Sequence, residues 1–231
     1  MAAGFNPKIV TKNLIFCLDA GNVKSLPDKI STATMRDLIS NTTVTSARVD
    51  FDANFLGNLS YNGSVSNTTL PAERIPSGNQ ATVCIWTKIN QNSNQQTIFR
   101  AIKSSGTRVL SIHLPWSDDI VYWDAGDSGT NYDRISKALE GGFDYTAWYY
   151  WVFTKNATTG SMKIYRNSEE WHSGTTMTNS ITAASAARLG ATTVPSEHHT
   201  GNIAHFSLYD RELTAEEVKQ NFNATRGRFK I

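Results

Sequence analysis

Short apolar runs, bounded by polar turn residues and recurring along the whole chain, constrain the fold most. They carry the β-branched and aromatic bias of strands and predict strands near residues 13–18, 48–52, 58–62, 81–89, 96–102, 107–114, 119–124, 131–136, 147–154, 161–166, 169–172, 186–190 and 202–209. Regular spacing of this kind means a sandwich or a barrel. The 231 residues suit one β-sandwich, and no Pro/Gly-rich linker, charge run or internal repeat divides them. An all-β single domain over 1–231 is expected, with a short N-terminal arm at 1–12 and a C-terminal tail at 224–231.

Some strands reveal their faces. In 107–114, Leu110, Ile112 and Leu114 alternate with Val109, Ser111 and His113, so one face is expected to be buried and the other partly polar. The run 202–209 repeats this, with Ala204, Phe206 and Leu208 opposite Ile203, His205, Ser207 and Tyr209. Leu14 to Leu18 is apolar on both faces, as in a covered inner strand. One helix is expected, starting at Thr214: Thr214 can cap free amides while Glu217 reaches back, and Val218 and Phe222 share a face.

With hydrophobic residues at 39%, the chain can bury a core. A net charge of +2, with no basic block beyond Arg226, Arg228 and Lys230, gives little basis for nucleic-acid binding. Cys17 and Cys84 lie in apolar runs and read as buried free thiols. The opening MAAGFNPKIV lacks a signal peptide's apolar core, and no run approaches membrane-spanning length, so a protein made soluble, without a membrane partner, is expected.

Three stretches resemble laminin G-like members of the concanavalin A-like lectin/glucanase superfamily. They are LIFCLDAGN (14–22), WYYWVFTKNATTGSMKIYRNSEEW (148–171) and GNIAHFSLYDRELTAEEVKQNF (201–222). The last is the most specific, since a strand, a Tyr-Asp-Arg turn and a capped helix combine independent features. Ser168 stands where the family usually has Gly after Asn167, so that hairpin turn is either strained or differently shaped. The resemblance implies a jelly-roll β-sandwich with one short C-terminal helix, closed by pairing of strand 14–18 with 202–209. The opening and closing segments, the ending NATRGRFKI and the stretch HLPWSDDIVYWDAGDSGTNYDRI (113–135) are also similar to bacteriophage virion proteins. That similarity implies a virion location, other virion proteins as partners and membership of a larger assembly.

Catalytic signatures are sparse. The superfamily's glucanases set two glutamates on one strand face in an E-x-D-x-x-E or E-x-D-x-E pattern, and this chain has neither. Glu169 and Glu170 are adjacent, and Glu216 and Glu217 belong to the helix start. No G-x-S-x-G elbow is present. His198, His199 and His205 match no zinc spacing, and the adjacent His198 and His199 read as solvated loop residues. No cofactor is expected. A rim Ca²⁺, as in laminin G-like relatives, would draw on Asp118, Asp119, Asp124 and Asp127, although turn-forming aspartates explain the same cluster.

The best binding candidate is the hairpin PWSDDIVYWDAGD (115–127) with Trp116, Asp118, Asp119, Trp123, Asp124 and Asp127. An indole beside carboxylates offers a sugar an apolar face and acceptors for its hydroxyls; the alternative is that Trp116 caps the core and Trp123 fills it. Trp86, Trp148 and Trp151 are assigned to packing. The expected function is a non-enzymatic virion structural protein, as a capsid decoration, collar or tail component. A module binding host surface glycans is the second reading, and a glycosidase the third.

Overall fold

The computed structural model describes residues 8–27, 34–90, 95–129, 131–192 and 197–231; residues 1–7 of the expected N-terminal arm lie outside them. In chain order the strands are β1 (Leu14–Asp19), β2 (Thr34–Arg36), β3 (Thr43–Ala47), β4 (Asp50–Asp52), β5 (Asn58–Asn62), β6 (Asn67–Leu70), β7 (Gln80–Ile89) and β8 (Thr97–Ile102). They continue as β9 (Arg108–His113), β10 (Ile120–Ala125), β11 (Asp133–Ala138), β12 (Tyr149–Asn156), β13 (Ser161–Arg166), β14 (Glu169–Gly174), β15 (Ala186–Leu189) and β16 (Thr200–Tyr209). Helix α1 (Ala215–Thr225) follows.

Two antiparallel eight-stranded sheets form the molecule. The first runs β14-β13-β12-β7-β16-β5-β4 with β1 also paired to β16, and the second runs β11-β10-β9-β8-β15-β6-β3-β2. The expected closure is present, with Leu14 opposite Tyr209 and Asp19 opposite His205. Between the sheets lies the main core, where Phe206 meets Phe99 at 5.2 Å and Phe153 meets Trp123 at 5.7 Å between ring centroids. Such rings bury large apolar areas and dominate the core energetics.

A second apolar layer covers the other face of the first sheet. Leu14, Cys17, Cys84, Trp86, Tyr150 and Tyr209 pack there against Val218 and Phe222 of α1. Both cysteines are free and buried, and both pair across strands with Ser207. This layer explains why β1 is apolar on both faces. It is not an inner strand, however: beyond β1, residues 37–38 close its free edge, through Leu38 N to Cys17 O and Cys17 N to the Asp37 carboxylate. The tail is also anchored, since Phe229 stacks on Trp86 at 4.1 Å.

The capping box of α1 is formed, with Glu217 N donating to Thr214 Oγ1 and Thr214 N to the Glu217 carboxylate. At the β13–β14 hairpin, Asn167 (φ 50°) and Ser168 (φ 75°) both adopt left-handed backbone, the two-residue geometry in which glycine would be free of strain. In β16 one expectation changes. An extra residue between Ile203 and His205 turns Ala204 to the helix-covered layer, while Ile203, Phe206 and Leu208 face the core. Strands β2, β3 and β6 were not expected.

Candidate functional site

The outer face of the second sheet carries one continuous register row. Thr34 (β2) pairs with Thr45 (β3), Thr45 with Thr69 (β6), Thr69 with Arg188 (β15) and Arg188 with Arg100 (β8). Arg100 then pairs with Ser111 (β9), Ser111 with Asp124 (β10) and Asp124 with Arg134 (β11). Because side chains alternate along each strand, the neighbours Phe99, Ile112, Trp123 and Leu189 point into the core and fix this row outward.

Its centre is a network of guanidiniums. Asp124, wholly buried, accepts from Arg134 through Nε at 2.5 Å and Nη2 at 2.8 Å and from Arg108 Nη1 at 2.8 Å. Arg100 pairs with Glu197 at 2.7 Å and donates from Nε to Ser111 Oγ at 3.2 Å. Burial and then Arg108 hold the Arg100 pKa below its ordinary value. Tyr122 and Tyr132 flank the row, with the Arg134 guanidinium 4.6 Å and 5.0 Å from their ring centroids.

His113 lies on the same face, and its surroundings fix its charge. Nδ1 is 2.9 Å from Thr97 Oγ1, while Nε2 lies 3.4 Å from Arg100 Nη2 and 3.5 Å from Arg108 Nη1. Guanidinium nitrogens only donate, so Nε2 accepts and Nδ1–H donates to Thr97. Burial, then Arg100, Arg108 and Arg134, push its pKa down to about 2. A neutral imidazole is thereby held on a cationic face. Thus the second face of β9 is polar, as expected, yet Ser111 and His113 are buried beneath the arginine side chains.

The hairpin candidates separate. Trp116 is half-buried and belongs to neither apolar cluster; it meets the His113 ring edge-on at 4.4 Å. Trp123 is a core residue whose Nε1 donates to Thr154 O at 3.0 Å, so it reaches no surface ligand. Asp118 and Asp119 are exposed at the hairpin tip and accept from Tyr122 Oη at 2.7 Å and Tyr145 Oη at 2.8 Å. Asp127 lies past the other end of β10, paired with Lys103 at 2.5 Å. The four aspartates therefore have separate partners. Among the described residues no group of three or more His, Cys, Asp or Glu is placed to hold a metal ion.

Of the sequence candidates, Asp124 lies in this row, Trp116 borders it through His113, and Asp118 reaches it at Tyr122. The arginines, Ser111, His113 and Glu197 of this face were not among the sequence candidates. A signal was present: Arg100 and Arg188 are lone cations inside otherwise apolar strands, TIFRAI and AARL. The histidine expectation also changes. His199 is fully buried against Tyr61, its pKa pushed down to about 3 by burial, rather than solvated.

A comparison with curated protein sequences finds no match. Among solved structures, the binding domain of botulinum neurotoxin serotype G superposes with a TM-score of 0.71 at 17% identity, covering 91% of this chain and 50% of that one. The serotype D ligand-binding domain solved with N-acetylneuraminic acid gives 0.70 at 16%, covering 91% and 50%. The serotype DC binding domain solved with rat synaptotagmin II gives 0.71 at 17%, covering 94% and 52%. The present chain spans about half the length of these domains, and at such identities the likeness is one of fold. Residues 62–219, more than half of the chain, match the family model of the concanavalin A-like lectin/glucanases superfamily, and the chain belongs to that superfamily.

Proposed function

We propose that this protein is a non-enzymatic recognition module that binds a glycan on the outer face of its second sheet and is carried on a bacteriophage particle. The observation that supports glycan binding is the polar row from Thr69 to Arg134, flanked by Trp116, Tyr122 and Tyr132. Sugar recognition needs hydrogen-bonding groups in a fixed array beside a flat apolar surface. Two of the similar toxin domains were solved with N-acetylneuraminic acid and with a protein receptor, which favours binding as the role here. Hydrolysis is disfavoured because the carboxylates reaching the row, Asp124 and Glu197, are engaged by guanidiniums and not free to donate a proton or attack.

A glycan array with the purified protein, followed by Trp116→Ala, tests this reading. Since Trp116 lies outside the apolar clusters, the variant should lose about 1–3 kcal/mol of glycan binding and keep its melting temperature. A melt that collapses with no binding defect would instead make Trp116 a core cap.

The particle location rests on the resemblance of the opening, hairpin and closing segments to phage virion proteins. Docking on neighbouring virion subunits is a second role for the same module. The exposed side chains of Val23 and Leu56, which line one shallow hollow with Arg228, favour it. Leu56→Asp should then lower incorporation into particles without altering the melt.

A further inference from the structure

Arg188 and Arg100 stand directly opposite each other on β15 and β8. Like charges in that relation repel, and the two are not equally compensated. Arg100 has Glu197 at 2.7 Å, whereas no carboxylate lies within 4.0 Å of the Arg188 guanidinium among the described residues. Arg188 spends Nη1 on Thr192 O at 3.2 Å. Beside the pair is a small notch of about 50 Å³, lined by both arginines and by Ile102, Ala186, Ala191 and Thr192. Ala187 packs into the core with Leu189, so the apolar side chains that share the outward face with the arginines are Ile102, half-buried, and Ala186, exposed.

A fork of guanidinium donors matches the two oxygens of a carboxylate, and with Arg100 compensated by Glu197 the charge of Arg188 makes a neutral occupant the less favourable one. A notch of that size beside Ile102 and Ala186 accepts a methyl-sized group or the edge of a sugar ring. We infer that the Arg188–Arg100 pair is an anionic subsite of the sheet face, taking the carboxylate of an acidic sugar while the notch takes an adjoining apolar group. This rests on the reading of that face as a glycan site. It adds selection by charge. Arg134 and Arg108 share the single carboxylate of Asp124, so their own donors are largely committed to it and they would contribute mainly hydrogen bonding and stacking.

The test is direct binding of one trisaccharide in three matched forms, ending in an uncharged hexose, a hexuronic acid or a sulfated hexose. The hexuronic form should bind about tenfold more tightly than the uncharged one, with the sulfated form between them, because a sulfate ester spreads its single charge over three oxygens while the fork engages two. Arg188→Gln should abolish the preference, bringing the hexuronic form down to the level of the uncharged form measured on the same variant; Arg188→Lys should keep part of it. Equal binding of charged and uncharged forms, tightest binding of the sulfated form, or a preference surviving in Arg188→Gln overturns the inference and leaves the glycan reading standing. No binding to any form overturns both.

Discussion

Asp124 takes two hydrogen bonds from its cross-strand partner Arg134, a bidentate pair in which the carboxylate is wholly buried and the guanidinium about one-third exposed. With Arg108 on the other side, one acid bridges two cations at the centre of the proposed recognition face and leaves the trio with one net positive charge.

Removing that acid should therefore destabilise the fold and not only the site. Asp124→Ala leaves two guanidiniums facing each other, but both are partly solvated, so the cost is set below that of a fully buried pair. About 2–3 kcal/mol is expected, read from urea denaturation. A change below about 0.5 kcal/mol would mean that water or rearrangement replaces the carboxylate.

Helix α1 braces the second apolar layer, and its capping box is complete, with Arg211 also pairing to Glu217 at 2.6 Å. Thr214→Ala should lower stability by about 1 kcal/mol in a thermal melt. The effect is modest because Val218 and Phe222 still hold the helix to Trp86 and Tyr150.

How much of this was legible in sequence depended on how local the determinant was. The helix start is written within four residues, Thr214 to Glu217, and was read with its correct partner. Strands with several large apolar residues, such as β7 and β12, were also plain. By contrast β2, β3 and β6 each turn few apolar residues inward, Met35, Val44 and Leu70 among them, with Thr and Ser around these, and such sparse alternation is indistinguishable from a loop. The bulge at Ala204 shifts the alternation by one residue through a pairing with β7 that lies more than a hundred residues away. The residues of the proposed face were legible only in part for the same reason. The hairpin presents Trp116 and Asp124, but Arg100, Arg188 and Glu197 join them only through sheet pairing and a distant loop.

Acid should unfold the protein earlier than its charge alone suggests. The folded chain holds His113 and His199 neutral, with pKa values pushed to about 2 and about 3. The unfolded chain protonates both below about 6.5, so it binds more protons and stability falls as pH drops from there toward those folded values; above pH 6.5 neither contributes. Between pH 6.5 and 5 each should remove about 2 kcal/mol. Urea midpoints at pH 7 and pH 5 should diverge accordingly, and His113→Gln should recover about half of the difference. Equal midpoints in the parent protein would show that both rings become solvated.

The central claim, recognition through the outer face of the second sheet, is tested most directly by amide chemical-shift mapping. ¹⁵N-labelled protein would be titrated with the glycan that the array selects. The account predicts saturable shifts concentrated at Thr69, Arg188, Arg100, Ser111, Asp124 and Arg134 and at Trp116. Shifts concentrated on the helix-covered face of the other sheet, or at the Val23 and Leu56 surface, with that row silent, would contradict it.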